Sequence, residues 1–184
     1  MPVNAINRTP VGRPGSGVLR LERILPGPAE RVWSYLVEAD KRAQWFSGGT
    51  TMTATGQTAT LHFQHANITD EPTPERWKEM DNGGFRSEVT VLRFDPPKAL
   101  AYTWPESDGV SEVTFELSPA GGDTRLVLTH RRIGSVANEV SFASGWQSHL
   151  DALIQVLNGE KPAGFWANVV KLEKDYREAF GAGS

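Results

Sequence analysis

The stretch that most limits what this chain can fold into is Asn138 to Gly159, NEVSFASGWQSHLDALIQVLNG, its longest helical pattern. Phe142, Trp146, Leu150, Leu153 and Leu157 recur at steps of three and four, so they share one stripe. Gln147, Ser148, Asp151 and Gln155 fall mostly on the other side. Asn138 with Glu139 in the first turn marks a start, and Asn158-Gly159 ahead of Lys161-Pro162 marks a stop. An amphipathic helix with so wide an apolar face needs a cover of comparable length, and a sheet is the natural one.

The rest of the sequence supplies that sheet. Val18 to Leu25 alternates Leu19, Leu21 and Leu25 with Arg20 and Glu22, which predicts a strand with one buried face. After Pro26-Gly27-Pro28, a short helix over Ala29 to Val37 is predicted from Val32, Trp33, Leu36 and Val37, and a second helical turn from Asp40 to Phe46. Two strands are predicted between Thr50 and Asn67, the clearer one over Thr58 to Phe63, while the Gly48-Gly49 pair reads as a turn. Ile68 to Gly84 is rich in Pro, Asp, Glu and Gly and reads as a long connection with a helical turn near Pro74 to Met80. Four strands follow, Phe85–Phe94, Ala99–Trp104, Val110–Leu117 and Thr124–Ile133, joined by turn-forming stretches that suit an antiparallel meander. Val113, Phe115 and Leu117 alternate with Glu112, Thr114 and Glu116, so one face of that meander is apolar and the other polar. A last helix is predicted over Phe165 to Phe180, with Trp166, Val169, Val170, Leu172 and Tyr176 as its buried side.

At 184 residues the chain suits one domain, set at 18–180, and Met1 to Gly17 is expected to be a disordered tail. A net charge of -3 argues against a nucleic-acid partner, because phosphate binding needs clustered Lys and Arg. The absence of cysteine excludes disulfides, thiolate metal sites and a cysteine nucleophile. No apolar run spans a bilayer, so no membrane partner is expected and a cytoplasmic location is the default.

These elements carry a resemblance. Pro28-Ala29-Glu30-Arg31-Val32-Trp33, Trp45-Phe46, Pro96-Pro97-Lys98-Ala99-Leu100 with Tyr102-Thr103-Trp104, Val113 to Leu117, Thr124-Arg125-Leu126 through Thr129-His130, and Gly145-Trp146 with Leu150 make up an ordered set. With them the chain resembles the START-like (SRPBCC, helix-grip) superfamily, in the branch similar to activators of the heat-shock protein 90 ATPase. The resemblance implies an α+β helix-grip fold: a curved antiparallel sheet wrapped around a long C-terminal helix, with two short helices after the first strand. The helix after Phe165 is extra to that pattern. It also implies an apolar cavity that in many relatives accepts hydrophobic molecules, without fixing one activity.

Candidate site residues follow from where large rings and polar groups converge. Trp45, Phe46, Trp104 and Trp146 come from the short-helix end, the sheet and the long helix, the three walls of such a cavity, with plain packing the competing reading. His130 is in register with Leu126 and Leu128, so it points inward and is the candidate polar group, against a plain structural histidine. His149 is placed at the edge of the buried stripe, in a packing or rim role, and Trp77 in the long connection as a lid residue or an exposed contact. His62 and His65, three apart near a strand, make poor co-ligands, and neither a metal nor another cofactor is expected. Glu112 and Glu116 sit on the polar face as solvated charges. The expected partner is a small hydrophobic molecule, aromatic, polyketide-like or lipid. A cyclase, dehydratase or hydrolase with His130 as general base, a chaperone-associated protein partner and a homodimer remain as alternatives.

Overall fold

The four strands expected after Gly84 form one unbroken antiparallel meander in the computed structural model, which describes residues 3–181. They are β5 (Phe85–Asp95), β6 (Ala99–Glu106), β7 (Gly109–Ala120) and β8 (Asp123–Arg131). The pairing Val113↔His130, Phe115↔Leu128 and Leu117↔Leu126 lines the inward side chains of β7 and β8 up across the ladder. Glu116, on the other face of β7, is exposed. Ahead of the meander come α1 (Val3–Ile6), β1 (Gly12–Gly15), β2 (Val18–Leu25), α2 (Ala29–Val37), α3 (Ala39–Arg42), β3 (Gly48–Gly49) and β4 (Thr58–Phe63). The sheet has eight strands in the order β1-β2-β8-β7-β6-β5-β4-β3, with every neighbouring pair antiparallel.

The long helix α4 (Val136–Leu157) lies on the apolar face of this sheet, with Leu150 and Leu153 fully buried. It starts ahead of the expected Asn138, because Ser135 is the cap: its hydroxyl accepts from the Asn138 amide at 3.1 Å. The second long helix, α5 (Phe165–Phe180), packs against α4 as well. That second cover explains why Ser148, which falls on the polar side of the pattern, is buried.

Two expectations are corrected. The Gly48-Gly49 pair is the edge strand β3 rather than a turn, and Gly49 is required there: at φ 96° a Cβ would stand 2.0 Å from the Thr60 carbonyl oxygen. The disordered tail expected at 1–17 is, over its described residues, α1 and β1 bound to the domain. Asn7 accepts from the Ile24 amide at 2.7 Å and donates to the Ile24 carbonyl at 2.9 Å. Val11 is buried, and its amide donates to the Tyr176 hydroxyl at 2.7 Å. Arg13 pairs with the buried carboxylate of Glu139 on α4, which also accepts from the Gly17 amide at 2.8 Å. These ties are polar and distant in sequence, and hydrophobic periodicity carries no trace of them.

Candidate functional site

Ser141, Gly145 and His149 are spaced by four along α4, so they stack on one face of the helix beside the apolar stripe. Opposite them the sheet and the loops leave a pocket of about 330 Å³, open at one end. Its far wall is aromatic: Trp104 from the end of β6, Phe63 from β4 and Phe85 from the start of β5. Phe142 and Trp146 from α4 and Phe46 from the segment after α3 complete the rings, and His65 from the turn after β4 and Met80 from the long connection close it.

Phe46 is held in place by Arg42. That arginine is buried, and its guanidinium donates to the carbonyls of Val37 (3.2 Å), Ser47 (2.9 Å), Gly48 (3.0 Å) and Thr50 (2.8 Å), which cinches the turn carrying Trp45 and Phe46. Phe46 then meets Trp146 at 5.1 Å and Trp104 at 6.1 Å between ring centroids, and Trp104 lies 5.4 Å from Trp146. Three of the five candidate residues therefore converge on the pocket wall.

The other two stand one layer behind it. Trp45 is buried beneath Phe46, stacked at 5.2 Å, and its indole N–H donates to the Tyr35 carbonyl at 2.9 Å. His130 points inward as its register requires, but it is fully buried and does not line the pocket. The Trp146 indole N–H donates to His130 Nδ1 at 3.0 Å, so Nδ1 is the unprotonated nitrogen and Nε2 carries the hydrogen. Nε2 then donates to Ser111 Oγ at 2.8 Å, and the Ser111 hydroxyl donates to the Trp104 carbonyl at 3.2 Å. His130 is thus a strut joining two pocket-wall tryptophans rather than the polar fixture expected. Burial holds its imidazole down at about 4, Glu106 opposing weakly, so the ring is neutral.

The polar groups that do face the pocket come from elsewhere. His149 Nδ1 lies 2.7 Å from the Trp45 carbonyl. A carbonyl only accepts, so Nδ1 bears the hydrogen and the neutral ring keeps Nε2 as an acceptor. Among the described residues no protein group bonds that nitrogen. His65 sits across from it, with ring centroids 5.7 Å apart. Burial depresses both, His149 to about 3, with His65 beside it adding to the effect, and His65 to about 4. No carboxylate lines this pocket, so it offers a largely apolar, uncharged interior in which His149 Nε2 is an open acceptor, beside the neutral His65 ring and the Ser141 hydroxyl. Among the described residues no group of three or more His, Cys, Asp or Glu is placed to hold a metal ion, and no helix is long and apolar enough to cross a membrane.

The long connection is fastened to α5. Trp77 stacks on Trp166 at 5.0 Å, Arg76 lies over the Trp77 ring and pairs with Glu173, and the Glu71 carboxylate accepts from the Trp166 and Ala167 amides, each at 3.3 Å. Trp77 lines a smaller side chamber of about 120 Å³ rather than the main pocket. Of the pocket groups missed by sequence, Ser141 and Gly145 had a legible signal in their spacing from His149. Phe63 and Phe85 meet through the pairing of β4 with β5, and His65 and Met80 through closure of the connection between those strands, neither of which shows in local spacing.

Known proteins share this architecture. The protein encoded by gene BPP1335 of Bordetella parapertussis, solved by solution NMR, is 44% identical, with a TM-score of 0.79 over 91% of this chain and 88% of that one. CalU16 of Micromonospora echinospora is 22% identical, with a TM-score of 0.66 over 90% and 86%, and shares the fold. So does the conserved protein EF2215 of Enterococcus faecalis, at 20% identity and a TM-score of 0.66 over 98% and 97%. No curated protein sequence matches the chain. The model of the Activator of Hsp90 ATPase homolog 1-like protein family matches residues 26–158, from the turn after β2 to the end of α4. The chain, with its sheet wrapped on one long helix, therefore belongs to that family, a branch of the START-like superfamily with the helix-grip fold.

Proposed function

We propose that this protein binds a compact, uncharged, largely aromatic molecule in the pocket between α4 and the sheet. The observation that carries this reading is the convergence of Phe46, Trp104 and Trp146 from three separate elements on one open space of about 330 Å³. That volume is at the small end of the roughly 300–1,000 Å³ usual for ligand pockets, which favours a bicyclic or tricyclic body over a long acyl chain. Membership of a superfamily built around an apolar cavity supports the same reading in its general form. Binding is favoured over turnover because the general base of the enzyme alternative is spent. Both nitrogens of His130 are committed to Trp146 and Ser111.

Calorimetric titration with a neutral bicyclic aromatic such as methoxynaphthalene tests this. Saturable binding is expected, and Trp104→Ala should weaken it about tenfold or more, since the variant loses ring stacking together with buried apolar area. Undiminished affinity in a folded Trp104→Ala protein would move the site elsewhere.

A further inference from the structure

Gly145 is an anomaly in α4. A glycine inside a helix costs stability relative to alanine, so it needs a local reason. Close packing is not the reason here, because a Cβ built on Gly145 meets nothing within 4 Å. The space it would enter belongs to the pocket, and Gly145 also borders the side chamber. One helical turn further on, His149 is 8% exposed, its Nδ1 hydrogen is spent on the Trp45 carbonyl, and its Nε2 has no protein partner among the described residues. Ser141, one turn before Gly145, stands at the exposed rim. The helix side of the pocket is therefore a narrow stripe whose middle is empty and whose inner end is a lone acceptor, facing a wall of rings.

We propose that this stripe sets the ligand class: an uncharged aromatic molecule bearing a hydroxyl or similar hydrogen-bond donor on one edge, which lies over Gly145 and donates to His149 Nε2. This deepens the binding reading above and rests on it. A carboxylate is disfavoured, because it brings a charge to a largely apolar site that offers no cation to meet it. A ligand of the same shape without a donor leaves Nε2 dry and unpaired.

The test uses three probes of one ring system, naphthol, its methyl ether and naphthoate, titrated calorimetrically into the full-length protein at neutral pH. Naphthol should bind about threefold to tenfold more tightly than the methyl ether, the worth of one neutral hydrogen bond, and naphthoate most weakly of the three. His149→Asn keeps an N–H for the Trp45 carbonyl but lacks the Nε2 acceptor, so the advantage of naphthol should vanish while the methyl ether still binds. Gly145→Leu should cost all probes about tenfold or more without lowering the melting temperature, because leucine is the better helix former. A methyl ether or naphthoate that matches naphthol on the unaltered protein overturns this proposal and leaves the binding reading intact. So does a naphthol preference that survives His149→Asn, or full affinity in Gly145→Leu. Failure of all three probes to bind overturns both.

Discussion

His130 shows how far a single residue can be read from a strand pattern. Alternation with Leu126 and Leu128 puts it on the inner face, and it is there. Alternation gives a face but not a depth, and Trp146 from α4 covers the ring before the pocket begins. The same limit applies to Trp45, which Phe46 covers. Gly145 carries a weaker signal for a different reason: apolar spacing passes over a glycine, and only its step of four from His149, itself at the edge of the stripe, marks it. His130→Ala should cost about 2–4 kcal/mol by urea titration, because it opens a void and strips the Trp146 indole of its only acceptor. Binding of the neutral aromatic probe should weaken in the same variant as Trp146 loses its fixed orientation. A silent His130→Ala protein would mean that the strut holds nothing.

At the scale of elements, the meander and α4 were legible because each has a strong period and clear punctuation. The N-terminal segment was not. It offers Val11 and little else to the core, and it is held by bonds to groups more than a hundred residues away. Arg23 makes the dependence mutual: it is fully buried on β2, donates to the Thr9 carbonyl at 2.9 Å, and approaches Asp151 of α4 at 3.9 Å. Burial lowers the pKa of its guanidinium, and the segment supplies acceptors that the charge needs. Deleting residues 1–17 should therefore destabilise the domain by about 3 kcal/mol or more, since Glu139 loses Arg13 and Arg23 loses a carbonyl. For a chain of this size that is a fall in melting temperature of roughly 6 °C or more. A truncated protein that melts with the full chain would show these bonds to be idle.

Across the whole molecule, three histidines from different elements are kept neutral by burial, His65 and His130 at about 4 and His149 at about 3. In the unfolded chain each titrates near 6.5. Above that value both states are uncharged and the histidines add no pH dependence. Below it the unfolded chain takes up protons that the folded one refuses, so stability falls as the pH drops from 6.5 towards 4, by up to about 1.4 kcal/mol per pH unit for each histidine. Urea midpoints should accordingly be flat from pH 7.5 to 6.5 and then fall steeply, and His149→Asn should make that fall shallower by about a third. A midpoint level down to pH 4.5 would contradict the burial of these rings. The consequence reaches the pocket, because the acceptor on His149 survives only while its ring is neutral. Acid that protonates this nitrogen places a cation among Phe46, Phe165 and His65 with no carboxylate lining the main pocket to receive it. The uncharged interior that favours an aromatic ligand and the stability of the domain thus depend on the same unprotonated imidazoles, but stability falls first, from pH 6.5 downwards, whereas in the folded protein the His149 acceptor is lost only near pH 3.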